Sequence, residues 1–201
     1  MGMVLSLHTI RDETIDRLLA DPPLVWRVLV PDMPELYFEA AGIGRKPGLI
    51  GRLLGKKLEP LPDAPPEIDL LDGEGEELYL DKSWGGIHYL LTGTAWEGEP
   101  PLNFLVCGGQ PVGDIDVGFG PAHALKSSEV KEISAALSAI DVADLKSRFD
   151  PEAMMAAEVY PEIWEDEGEE AFDYCAEYFN DLKQFLERAS RAGHGVMVHL
   201  A

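Results

Sequence analysis

Asp81, Trp84 and His88 fall close together in the stretch Leu78–Thr94, LYLDKSWGGIHYLLTGT. A carboxylate, an indole and an imidazole can together hold a small ligand. The carboxylate and imidazole fix orientation, and the indole supplies an apolar wall. On a helix beginning near Asp81, the residues Trp84, Ile87, His88 and Leu91 share one face by i, i+3, i+4, i+7 spacing. That spacing turns His88 inward. Two readings follow. His88 is a core imidazole with its tautomer fixed by a hydrogen-bonded neighbour, or it forms a pocket floor with Asp81 and Trp84. Tyr160-Pro161-Glu162-Ile163-Trp164 is a second aromatic cluster, expected on a loop. Loop aromatics are enriched at contact surfaces and also plug cores, so Tyr160 and Trp164 join the candidate ligand or partner contacts.

Other motifs fall short of their chemistry. Gly51-Arg-Leu-Leu-Gly55-Lys56-Lys57 has three residues between glycines where a phosphate-binding P-loop needs four, and Lys57 stands where its hydroxyl should be. Asp114-x-Asp116-x-Gly118 opens like a calcium loop, but the twelfth position is Leu125, not a bidentate carboxylate. A turn is the expected structure there. The five histidines, His8, His88, His123, His194 and His199, have no metal-site spacing, and Cys107 and Cys175 form no Cys-x-x-Cys. His8 and His199 meet only if the two terminal strands pair. No Gly-x-Ser-x-Gly elbow is present, and Cys107, preceded by Phe104, Leu105 and Val106, is expected to be buried. No cofactor and no catalytic residue is assigned, so the expectation leans away from an enzyme.

Charge sets the partner class. The 201-residue chain carries a formal net charge of −21. That field repels nucleic acid and anionic membrane and suits a basic protein partner, although it also serves plain solubility. The charge is uneven. No Lys or Arg occurs between Arg148 and Lys183, where Glu162, Glu165, Asp166, Glu167, Glu169 and Glu170 crowd together. Arg45, Lys46, Arg52, Lys56 and Lys57 occupy an acid-free window instead. No apolar run is long enough to span a bilayer, and the start lacks a secretory pattern. The two cysteines are read as free thiols, so a cytoplasmic protein is expected.

The elements that must position these residues are legible in outline. Met1–Thr9 and Gly195–Leu200 read as strands, and Asp12–Ala20 as a helix stopped by Asp21-Pro22-Pro23. Residues 42–66, dense in Gly and Pro, read as a variable surface insertion. Ala122–Leu125 reads as a short strand. Helices follow from Ser127 or Ser128, from Asp141 and from Asp150-Pro151. In the helix expected over 169–192, Phe172, Cys175, Phe179, Leu182, Leu186 and Ala189 are spaced 3, 4, 3, 4 and 3, which aligns them as one seam. Strands at both ends with helices between, and no βαβ repetition, indicate a single α+β domain.

Several segments resemble a family in order along nearly the whole chain. They are the Met-Gly-Met start, LDKSWGGIHYLLTG (80–93), GPAHAL (120–125) before SSEV, DPEAM, VYPEIW and the terminal GVMVHL. They are similar to the YfbM-like family of uncharacterised bacterial proteins. The resemblance implies a cytoplasmic α+β domain and brings no activity, cofactor or catalytic residue. His123 stands where the resemblance leads one to expect Arg, which speaks against an essential cation in that turn. Two functions are carried forward. One is a non-enzymatic binding module of inhibitor or immunity type. The other is a small-ligand binder or enzyme using Asp81, Trp84 and His88.

Overall fold

The structure, a computed structural model, describes residues 2–43, 64–71 and 73–201. Most of the insertion expected over 42–66, with its basic residues, lies outside the described residues. The two ends of the chain supply the centre of the sheet. Strand β1 (Leu5–Ile10) pairs with β5 (Gly195–Leu200), matching Leu5 with Leu200 and Leu7 with Val198. Outside them lie β2 (Glu77–Tyr79), β4 (His123–Leu125) and β3 (Gln110–Pro111), in the order β2-β1-β5-β4-β3. Every pairing is antiparallel. The outer strands are short, which leaves little free edge for another chain to extend.

Strand alternation divides the apolar residues between two faces. Leu5, Leu7, Leu125, Val196 and Val198 belong to one core cluster; Ile10, Ala124 and Met197 belong to another. The second face is covered by α1 (Asp12–Ala20), α2 (Val25–Leu29) and α3 (Pro34–Ala40) through Ile15, Leu18, Val25, Val28 and Tyr37. The first face meets α4 (Trp84–Thr92), α5 (Ser127–Ser138) and α9 (Glu169–Ala192). Helices α6 (Val142–Arg148), α7 (Pro151–Ala156) and α8 (Trp164–Glu167) complete that layer. The architecture is α+β, with a five-stranded sheet and nine α-helices among the described residues.

The 3-4 seam of α9 buries Phe172, Cys175, Phe179, Leu182, Leu186 and Ala189, and Phe185 widens it. Gly193 closes the helix in the left-handed conformation. At the start of α5 the expected serine cap gives way to a different device. Ser127 is already the first helical residue, and the Asp12 carboxylate of α1 accepts from its N–H and hydroxyl at 2.8 Å each. Glu129 reaches back to the Lys126 N–H at 2.8 Å. A carboxylate at a helix N-terminus satisfies orphan N–H groups and complements the dipole, so Asp12 ties the two helical layers together.

Candidate functional site

The stretch 78–94 folds as strand, turn and helix, but its polar residues diverge. Asp81 sits in the turn with φ 47°. Its carboxylate accepts from the Tyr174 hydroxyl at 2.8 Å and more weakly from Tyr79 at 3.3 Å. Burial and this carboxylate push the Tyr174 phenol far above its ordinary value, so it remains a protonated donor. His88 lies inside α4 and is 0% exposed. Its Nε2 lies 2.9 Å from the Glu97 carbonyl, an acceptor, which places the ring proton on Nε2. Nδ1 has no partner. Desolvation lowers the imidazole pKa, the Glu97 carbonyl opposing, and His88 is a neutral core residue. The Thr94 hydroxyl donates to the same carbonyl, so the loop carrying Trp96 is pinned from two sides.

Trp84 instead meets the second aromatic cluster. It stacks on Tyr160 with ring centroids 5.5 Å apart and planes 18° apart, and it touches Trp96 at 5.6 Å. Its Nε1–H donates to the Met3 carbonyl at 3.3 Å. Trp164, an expected contact residue, begins α8 and is 1% exposed, with Nε1–H donating to the Val159 carbonyl at 2.7 Å. It fills the core and offers no surface. Tyr160 is half-buried. The two glycines of the SWGG segment explain this packing. A Cβ on Gly85 would stand 2.3 Å from the Tyr160 carbonyl oxygen, and one on Gly86 would stand 2.4 Å from the Trp164 ring. Only glycine lets α4 approach so closely. Trp84, Tyr160 and Trp164 are thus brought together, while Asp81 and His88 face other neighbours.

Trp84 also reaches a cavity that the sequence did not reveal. It encloses about 200 Å³ and is lined by Trp84, Trp96, Leu105, Phe119, His123 and Leu200 among others, but by neither Asp81 nor His88. Trp96 and Phe119 are 48% and 55% exposed, while Leu5, Trp84, Leu105 and Val198 are buried, so the two exposed rings form the mouth over an apolar floor. His123 is held by Nδ1, which donates to the Gly108 carbonyl at 2.9 Å. The Phe119 loop is fixed by Asp116, whose carboxylate accepts from the N–H groups of Gly118 and Gly120 at 3.0 and 3.1 Å. These bonds hold Asp116 below the usual carboxylate range. The Asp-x-Asp-x-Gly segment is therefore a turn built on its own backbone.

The remaining candidates also have definite places. His8 and His199 do meet, stacked at 5.2 Å across the central strand pair. Glu77 lies 3.9 Å from His8 Nε2. Among the described residues no group of three or more His, Cys, Asp or Glu is arranged to hold a metal ion. Cys107 corrects the sequence expectation, because the 101–107 segment winds into turns that leave it exposed rather than buried. Cys175 is buried, and desolvation pushes its thiol up to about 12. A thiol reagent should therefore modify one cysteine in the native protein, mapped to Cys107 by peptide mass, and both in denaturant. Equal labelling of Cys175 in the native state would contradict this burial.

With the geometry in place, comparison with known proteins adds the lineage. The model of the domain of unknown function DUF1877 matches residues 1–199. The chain belongs to the DUF1877 family. The crystal structure of YfbM from Escherichia coli, a protein of unknown function, is similar over 98% of this chain and 99% of that one. The two share 17% sequence identity at a TM-score of 0.63, so the likeness is one of fold. No curated protein matches the chain. Among the described residues, no helix of this DUF1877 domain is long and apolar enough to cross a membrane.

Proposed function

We propose that this DUF1877 domain is a non-enzymatic binding module, of inhibitor or immunity type, that docks a basic protein partner. The observation that supports the reading is an exposed carboxylate face. Glu162, Glu165, Asp166, Glu167, Glu170 and Asp173 all lie open along the approach to α8, α8 itself and the first turns of α9. Among the described residues, one ion pair touches this face, Lys146 with Glu169. Carboxylates left without cations raise the on-rate and selectivity for a basic surface. The reading of Asp81, Trp84 and His88 as a ligand pocket has no comparable support. His88 is sealed, and Asp81 is engaged by Tyr174.

The test is capture on the immobilised protein at about 0.05 M and about 0.5 M salt, where the screening length shortens severalfold. Glu165→Lys/Asp166→Lys/Glu167→Lys is the matched control. The expected result is a basic protein held at low salt, released at high salt and not held by the charge-reversed variant. Capture that ignores both salt and charge reversal, or no capture, rejects the reading.

A further inference from the structure

We propose that the cavity between Trp96 and Phe119 receives an arginine side chain of the partner, an inference that rests on the basic-partner reading above. The segment Ser83–Leu125 supplies Trp84, Trp96 and Phe119. It contains no Lys or Arg but has four carboxylates, Glu97, Glu99, Asp114 and Asp116. All four are exposed. Glu97 follows Trp96 directly, and the Asp116 carboxylate accepts from Gly118 and Gly120 on either side of Phe119, so each exposed ring of the cavity stands on a loop that carries a carboxylate and no cation. Aromatic faces attract cations through their quadrupole, and the planar guanidinium stacks on them better than an ammonium does.

The shape fits a long amphipathic side chain. Leu5, Leu105 and Leu200 give an aliphatic floor for the methylene stem, while Trp96 and Phe119 stand where a charged head remains partly hydrated. The about 200 Å³ of space admits one such chain and no folded segment. The walls are fixed before binding. His88 and Thr94 anchor the Trp96 loop through the Glu97 carbonyl, and the Phe119 N–H donates to the Leu200 carbonyl at 2.9 Å. A preformed wall avoids an ordering cost on association.

The probes are three capped tripeptides, Gly-Arg-Gly, Gly-citrulline-Gly and Gly-norleucine-Gly, titrated into the full-length protein while the indole N–H resonance of Trp96 is followed by NMR. The expected result is saturable movement with the arginine peptide, about fivefold or more weaker binding of neutral citrulline, and loss of binding in Trp96→Ala and Phe119→Ala at unchanged melting temperature. Equal binding of citrulline, or tighter binding of norleucine, overturns the proposal in favour of an uncharged occupant. No movement with any peptide also overturns it. If salt-sensitive capture by the acidic face persists in that case, only the cavity assignment has failed. If both vanish, the basic-partner reading has failed with it.

Discussion

Replacing Gly86 by alanine should cost the fold about 2–3 kcal/mol, because the new methyl enters space already filled by Trp164 and by the Cys175 sulfur, 2.6 Å away. In a domain of this size that is a fall of about 5–10 °C in melting temperature, read by circular dichroism or calorimetry. Gly85→Ala should cost as much for a different reason, since its methyl meets the Tyr160 carbonyl oxygen, a backbone atom that cannot rotate away. The two variants separate in combination. Trp164→Phe removes the ring atoms nearest Gly86, so it should reduce the cost of Gly86→Ala in a double-mutant cycle and leave the cost of Gly85→Ala unchanged. A melting temperature within a degree of the parent for either single variant would show that α4 does not pack against 160–164 as described.

The second large effect is pH-dependent. Burial lowers the pKa of His8, with Glu77 opposing. Burial and the His8 ring beside it lower His199 to about 4, again with Glu77 opposing. A histidine with a folded-state pKa below its unfolded value binds protons more readily when unfolded. Its stabilising contribution is therefore complete above about pH 6.5 and is lost as pH falls toward the folded value. For His199 alone the loss between about pH 7.5 and pH 5 comes to about 2 kcal/mol. Glu77 on β2 lies 3.9 Å from His8, the two rings stack on one another, and His123 lines the same cavity as His199. Acidification also relieves repulsion among the chain's many carboxylates, so the measurement is a difference. Urea unfolding of the parent and of His8→Phe/His199→Phe should diverge across this window, with the parent losing more stability on acidification. Parallel curves would show that the stacked pair titrates alike in both states.

How much could be read in advance depended on whether a residue's role was local. The helices 12–20 and 169–192 were legible because each carries its own apolar period and its own stop, Asp21-Pro22 and Gly193. Strands β1 and β5 showed the apolar content of buried strands, and the inward turn of His88 followed from spacing within one helix. Trp164 was ambiguous, because Pro161 and the acidic residues around it read as a surface loop, and only the gap above Gly86, many residues earlier, determines where its ring goes. Cys107 followed an apolar run that winds into turns instead of forming a helix or strand. The cavity was invisible for a related reason. It takes Leu5 from β1, Trp84 from α4, Trp96 and Leu105 from one loop, Phe119 from another and Leu200 from β5. A site assembled from five separate segments has no single periodic spacing to detect. An exposed Trp in a Gly- and Glu-rich loop was its one local sign, at Trp96.

The pairing of Leu5 with Leu200 bears on how the protein is made. Val4 and Ala201 exchange backbone hydrogen bonds of 2.8 and 2.9 Å, so the first strand waits for the last. During synthesis β1 and the helices α1–α3 leave the ribosome with one sheet neighbour missing, and loop-closure entropy opposes the pair until residues 195–200 are free. Strand β1 therefore completes its pairing only when a segment far away in sequence is available, and because β5 gives Val196 and Val198 to one core and Met197 to the other, closing that pair joins both cores.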